Sequence, residues 1–282
     1  MSYHIVNARI VNEGTVTEGD LSVDHDGRIS GVNTSAGAGT TVINARGAYL
    51  LPGMIDDQVH FREPGFEHKA TIETESQAAV AGGITSYLEM PNCNPQTVTP
   101  EALEDKHARA AARSMANYGF YFGATNDNLE AIKSVDQRLA CGIKIFMGSS
   151  TGNMLVDNEQ TLAGIFSSSP LVIATHCEHT PTILENEAAA RAKHGDMIPF
   201  SEHPTIRSAE ACHQSSSLAV ELARHHDARL HVLHVTTERE LALFATGALC
   251  DKRITAEACV HHLFFNDTSY PALGARLKCN PA

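Results

Sequence analysis

From Leu51 onward, short apolar runs alternate with longer stretches whose apolar residues recur at helical spacing. This is the rhythm of βα units around a parallel sheet. The runs predict seven strands, near 53–59, 84–90, 118–123, 142–147, 171–175, 229–235 and 253–258. The intervening pattern predicts helices over 68–82, 100–116, 127–139, 179–194 and 207–226. The 100–116 helix opens on Thr99-Pro100, an N-cap followed by a first-turn proline.

Residues 3 to 50 read differently. Ile5-Val6, Arg9-Ile10-Val11, Leu21-Ser22-Val23, Ile29 and Thr41-Val42-Ile43 are short extended runs punctuated by Gly and polar residues, as in a small sheet built from hairpins. The expected architecture is a (β/α)8 TIM-type barrel over 52–282, with an N-terminal β-sandwich portion over 1–51. Closing the barrel takes an eighth strand, and the sequence reaches Asn280-Pro281-Ala282 first, so the barrel is expected to be incomplete at its C-terminus. A doubly wound open sheet is the competing fold. Against it, no Gly-x-Gly-x-x-Gly turn opens the first helix, and polar residues recur at successive strand ends.

With 282 residues, 43% hydrophobic and 19% charged, the chain has material for a large core. Its net charge of -12 argues against a nucleic-acid partner, which would require clustered Lys and Arg. No apolar run reaches the length of a membrane span and no signal-peptide pattern opens the chain, so a cytoplasmic location without membrane association is expected. Seven cysteines, at 93, 141, 177, 212, 250, 259 and 279, never form a Cys-x-x-Cys pair. They are read as reduced, buried thiols.

The candidate chemistry lies at the strand ends. Met54-Ile55-Asp56-Asp57-Gln58-Val59-His60-Phe61-Arg62-Glu63-Pro64-Gly65 carries an apolar run into a histidine, an arginine and a Pro-Gly turn. His60 has two readings there, a metal ligand and a surface-loop histidine; Arg62, two residues on, would hold an anionic substrate or be an ordinary solvated arginine. Lys144 sits inside the apolar run Gly142-Ile143-Lys144-Ile145-Phe146, where a protonated amine is costly to bury without compensation. His176 ends Ile173-Ala174-Thr175-His176, and His234 ends Leu230-His231-Val232-Leu233-His234. Three histidines on separate strand ends beside a buried lysine form a constellation that a lone histidine does not. His231, three residues before His234, is assigned by strand alternation to the opposite, helix-facing side. Gly148-Ser149-Ser150-Thr151-Gly152 lacks the Gly-Lys-Ser/Thr ending of a phosphate cradle and reads as a βα loop.

These motifs occur in the order of the dihydroorotase branch of the amidohydrolase superfamily, which the chain resembles from the N-terminal sheet to Asn280. In that family the first strand ends in His-x-His; here Gln58 stands at the first of the two positions. The resemblance implies zinc held by His60, His176 and His234, with Lys144 carbamylated by carbon dioxide to bridge two metals and Gln58 as a weak substitute ligand. It implies that Arg62, Asn92 of Met90-Pro91-Asn92 and Asn280 contact a carboxylated substrate, and that Glu257-Ala258-Cys259-Val260-His261-His262-Leu263 is the seventh strand end. The implied reaction is reversible hydrolysis of dihydroorotate to N-carbamoyl-aspartate. The family's general-base aspartate, at the end of the eighth strand, has no counterpart in the sequence. The alternatives are an allantoinase or dihydropyrimidinase, and a non-catalytic subunit that would scaffold a partner such as aspartate transcarbamoylase. Self-association into a homo-oligomer is expected.

Overall fold

The computed structural model describes residues 1–148 and 154–282, and divides the chain into Met1–Met54 and Ile55–Ala282. The expected 148–152 loop lies, after Gly148, outside the described residues.

The first unit is a five-stranded sheet: β1 (Tyr3–Asn12), β2 (Thr15–Val23), β3 (Ile29–Val32), β4 (Thr41–Asn44) and β5 (Tyr49–Leu50). β1 is central. It pairs antiparallel with β2 and parallel with β4 and β5, and β3 lies outside β2. The sheet leaves Val16, Ile29, Val32, Val42, Ile43 and Tyr49 exposed, so the sandwich anticipated for this part is represented by one layer with uncovered apolar side chains.

The second unit begins one residue into β6 (Met54–Val59), followed by α1 (Ile72–Ala81), β7 (Ile84–Glu89), α2 (Pro100–Arg113), β8 (Asn117–Gly123), α3 (Leu129–Lys133) and β9 (Ala140–Phe146). It continues through α4 (Glu159–Ser168), β10 (Ile173–His176), α5 (Thr180–His194), α6 (His203–Ile206), α7 (Ala209–His225), β11 (Leu230–Val232) and β12 (Ile254–Ala256). Two short helices, α8 (Val260–Phe264) and α9 (Tyr270–Leu273), close the series. The strands run β12-β11-β10-β9-β8-β7-β6, each beside its predecessor in sequence. All seven expected strands are present, in a sheet with the topology of a partial TIM barrel.

Sequence chemistry sets the helix starts. Thr71 caps α1 by accepting from the Thr74 N–H, and Thr99 caps α2 by accepting from Ala102, with Pro100 in the first turn. Helix ends run shorter than the periodicity implies: α2 stops at Arg113, and α3 covers only Leu129–Lys133 of the expected 127–139. The main core lies between sheet and helices, where Phe120, Phe122, Ile143, Ile145, Ile173, Leu230 and Val232 of the strands meet Leu103, Ile132, Leu162, Ile165 and Val220 of the helices. Met90, Tyr121, Ala174 and Leu233 form a separate cluster on the other, concave face.

The sheet is curled. Across that concave face, Tyr121 Oη donates to the Asp57 carbonyl at 3.2 Å, and His231 Nε2 stands 3.5 Å from Asp57 Oδ2, linking the first strand to the third and the sixth. All seven cysteines are free, but only Cys93, Cys177 and Cys212 are buried; Cys250 is exposed and the other three are half-buried. Among the described residues no helix is long and apolar enough to cross a membrane.

Candidate active site

The turn after β6 is fixed from beneath by a buried carboxylate. Glu63, wholly excluded from solvent, is ion-paired with Arg113 and Arg109 and accepts from the Ile72 N–H at 3.0 Å. Gly65, at φ +89°, lies so close to the Asn94 carbonyl that a Cβ would stand 2.0 Å from it, so only glycine fits. Pro64 in turn accepts from the Asn94 N–H at 2.9 Å, which joins this turn to the one after β7. Arg62 takes a left-handed backbone, φ +69°, and among the described residues its guanidinium has no ion-pair or hydrogen-bond partner.

His60 leaves the strand end with its Nδ1–H donating to Asn92 Oδ1 at 2.7 Å, which makes Nε2 the lone-pair nitrogen. Gln58 Nε2 approaches that nitrogen at 3.4 Å, and Gln58 Oε1 accepts from the Cys259 thiol at 3.3 Å. Gln58 therefore occupies the gap between His60 and the seventh strand end. Asn92 orients His60, with its amide N–H groups left for another acceptor.

Lys144 points to the concave face between outward-facing Ile143 and Ile145, 1% exposed, with no carboxylate in ion-pair range among the described residues. Its ammonium lies 4.5 Å from the Phe146 ring centroid. Burial pulls its pKa down to about 7, so half the molecules carry a neutral amine near neutrality. Burial, reinforced by the charges of Arg62 and Lys144, pushes His60 down to about 3. Burial also lowers His176 and takes His234 well below its ordinary value, with Lys144 contributing in both cases. The three imidazoles are neutral at neutral pH, the form that ligates a metal.

His176 and His234 meet directly, Nδ1 to Nε2, at 3.1 Å. Two nitrogens bound at about 2.0–2.1 Å to one tetrahedral zinc stand roughly 3.3 Å apart, so this spacing suits a shared ion. His176 Nε2–H donates to the buried Glu178 at 2.7 Å, and Arg207 ion-pairs with the same carboxylate oxygen. This is the carboxylate–histidine arrangement that orients a metal ligand. Among the described residues His234 Nδ1, on the far side of the ring from the nitrogen that meets His176, is buried without a hydrogen-bond partner. His176 and His234 thus stand at the spacing of two ligands on one ion, His60 and Lys144 suit a metal by the chemistry of their donor atoms, and Gln58, a neutral amide here donating toward His60, is a poor addition to them.

Strand parity misplaces His231. The residue lies on the concave face, with Nδ1 2.8 Å from Thr255 Oγ1 and Nε2 3.2 Å from Glu257 Oε2. Alternation holds within β11, where Leu230 and Val232 enter the helix-side core, but the chain turns at His234, φ +40°, so the count from 234 back to 231 crosses a break. Asp57, His231 and Glu257 form a hydrogen-bonded cluster that was not recognised as a group in the sequence, and Glu257 Oε1 also accepts from the His234 backbone N–H at 3.0 Å. Burial and the facing Glu257 carboxylate push Asp57 up to about 6. Glu63 and Glu178 went unmarked as well; their only signal is a carboxylate one or two residues past a strand-end site residue. Asn280 is exposed beside Cys279 and makes no hydrogen bond to Arg62 or Asn92.

Residues 47–134, which carry the Gln58–Gly65 and Met90–Asn92 motifs, match the dihydro-orotase-like family. A dihydroorotase of Halobacterium salinarum is 32% identical over 97% of this chain and 63% of its own length. The chain belongs to the dihydroorotase-like cyclic amidohydrolases. An allantoinase of Bacillus velezensis is equally similar, 32% identical over 100% of this chain and 63% of its own. Among solved structures, L-hydantoinase (dihydropyrimidinase) from Arthrobacter aurescens superimposes with a TM-score of 0.91 at 25% identity, over 99% of this dihydroorotase-like chain and 63% of that one. The chain thus spans less than two thirds of the length of these relatives.

Proposed function

We propose that the site is that of a metal-dependent cyclic amidase acting on dihydroorotate, which it hydrolyses reversibly to N-carbamoyl-aspartate in pyrimidine biosynthesis, in the cytoplasm. The unpaired Arg62 beside His60 carries this reading. A carboxylated ring gives that guanidinium a bidentate partner, whereas an uncharged hydantoin would leave it without one. Asn92, its oxygen engaged by His60, has amide N–H groups to offer the same carboxylate, and Asn280 would complete the contact.

His60, Lys144, His176 and His234 would hold zinc, with Lys144 as a carbamate. A neutral Lys144 amine would add to carbon dioxide: an N–C bond forms as one C=O π bond opens, one proton leaves to solvent, and a buried neutral amine becomes a buried carbamate anion able to serve as a metal ligand. Bound metal supplies Lewis-acid polarisation of a carbonyl and a nucleophile at neutral pH. The chain's own residues do the rest. Arg62 and Asn92 fix the substrate so that its scissile bond lies over the centre. Glu178 and Asn92 hold His176 and His60 in orientation. The allantoinase relatives favour a second reading, an amidase for an uncharged or ureido ring, in which Arg62 would serve no substrate group. The third reading, a scaffold subunit for another pyrimidine enzyme such as aspartate transcarbamoylase, has Gln58 in its favour.

Arg62→Lys tests the choice. Lysine keeps the charge and loses the planar fork, so dihydroorotate binding, measured calorimetrically with zinc-loaded protein, should weaken about tenfold or more for a lost charge-assisted contact of about 1.5–3 kcal/mol. Unchanged binding, or tighter binding of allantoin than of dihydroorotate to the parent protein, would overturn the assignment.

A further inference from the structure

We propose that Cys259, His261 and His262, with Cys279 as a fourth donor, form a separate site for a soft divalent metal ion such as zinc. One ligand atom from each of the first three residues lies within 4.8 Å of the other two. Cys279 Sγ stands 3.6 Å from His261 Nε2. That is the separation of two ligands on one tetrahedral zinc, roughly 3.6 Å for Zn–S of about 2.3 Å and Zn–N of about 2.0–2.1 Å. A second observation comes from His262. Both of its ring nitrogens are buried and, among the described residues, neither has a hydrogen bond of ordinary geometry, although the Pro281 carbonyl is close by. With the Pro281 carbonyl beside one nitrogen, the imidazole is short of one more partner next to a thiol, and a cation supplies it.

The chemistry of the donors differs from that of the amidase centre. Thiolate with imidazole selects zinc and other soft ions, whereas His60, Lys144, His176 and His234 offer nitrogen and oxygen only. Access is open, because His261, His262 and Cys279 line a cavity of about 540 Å³. Binding replaces each ligating S–H with an S–metal bond and releases its proton to solvent. In losing its proton, Cys259 also gives up its hydrogen bond to Gln58 Oε1, so an ion here would change what Gln58 presents to His60. The inference does not depend on the reaction proposed above.

The test uses the reduced 282-residue protein and cobalt(II) alone. Cobalt should produce a thiolate-to-metal charge-transfer band in the near ultraviolet that an all-nitrogen-and-oxygen centre cannot give. The band should be absent from Cys259→Ser, weaker in Cys279→Ser, and displaced by zinc. In unaltered protein, independently of any variant's folding, zinc should slow alkylation of Cys259 and Cys279 at least tenfold by mass spectrometry, while the exposed Cys250 reacts at its original rate. Cobalt binding without the charge-transfer band, or equal alkylation of Cys259 with and without zinc, would overturn the site whatever the outcome of dihydroorotate assays.

Discussion

Lys106→Met is the perturbation whose size the structure defines best. Lys106 on α2 and Glu89 at the end of β7 are each 1% exposed and form a direct ion pair. The same ammonium donates to the Met90 carbonyl at 3.1 Å and lies 4.9 Å from the centroid of the Phe120 ring. Burial raises the Glu89 pKa even with Lys106 opposing it. Methionine preserves most of the stem and deletes the charge, leaving a buried carboxylate that takes a proton.

Neutralising a carboxyl with a reference pKa of 4.5 at pH 7 costs about 3.4 kcal/mol, at about 1.36 kcal/mol per unit. Losing the bond to Met90 adds about 1 kcal/mol. The expected loss of about 4 kcal/mol agrees with the range of about 3–5 kcal/mol for breaking a buried pair from one side. Its pH dependence has a definite sign. In the variant the folded-state pKa of Glu89 lies above its unfolded value, so its contribution is intact below about 4.5 and is lost as pH rises. Between pH 7 and pH 5 the penalty should shrink by about 2.7 kcal/mol, two units at about 1.36 kcal/mol each. Urea unfolding at both pH values measures it, with Glu89→Gln/Lys106→Met recovering most of the loss because no charge is then stranded. A cost below about 1 kcal/mol at pH 7, or the same cost at both pH values, would refute the reasoning. The pair also supports the site, since Met90 leads into the turn that delivers Asn92 to His60.

Intact-mass measurement of zinc-loaded protein in bicarbonate should show one added carbon dioxide, localised to Lys144; an unmodified lysine with metal bound would end the carbamate reading. Gln58→His should tighten zinc at the His60 position about tenfold or more, measured by chelator competition in a Cys259→Ser background so that thiol binding does not contribute. Unchanged affinity would mean that position 58 does not face the metal. Asn92→Leu removes the acceptor that fixes His60 and should weaken zinc about 10–100-fold in the same assay, with the folded state intact by circular dichroism.

The strands and their order were legible in the sequence because a parallel strand covered on its helix side keeps a near-continuous apolar run, as Ile143, Ile145, Leu230 and Val232 show. Helix starts were legible for a different reason: capping is local, and Thr99 with Pro100 announces α2 within a few residues. Helix ends were less so, because α2 lacks a glycine stop and ends where the chain must enter β8. Lys144 could be read because a polar side chain between the outward-facing Ile143 and Ile145 can only point the other way, and His176 because it ends an otherwise buried strand. The residues that hold the site rigid could not. Glu63 finds Arg109 and Arg113 46 and 50 residues away, and Glu178 finds Arg207 29 residues away, so no local pattern marks the pairing.

The misassignment of His231 follows from the same geometry that places the site. Alternation is a property of extended backbone, and the chemistry here lies where extension stops: Arg62 at φ +69° and His234 at φ +40° have both left it. A left-handed residue redirects the chain, so a side chain past the strand end can converge with a neighbour of either parity. His234 thereby faces His176, while His231, still within the strand, faces the Asp57–Glu257 cluster on the same concave side. Parity is therefore a reliable guide to the walls of this half-barrel and an unreliable one to its mouth, where the left-handed turns at Arg62 and His234 set the arginine beside His60 after the first strand and bring His234 after the sixth against His176 of the fifth.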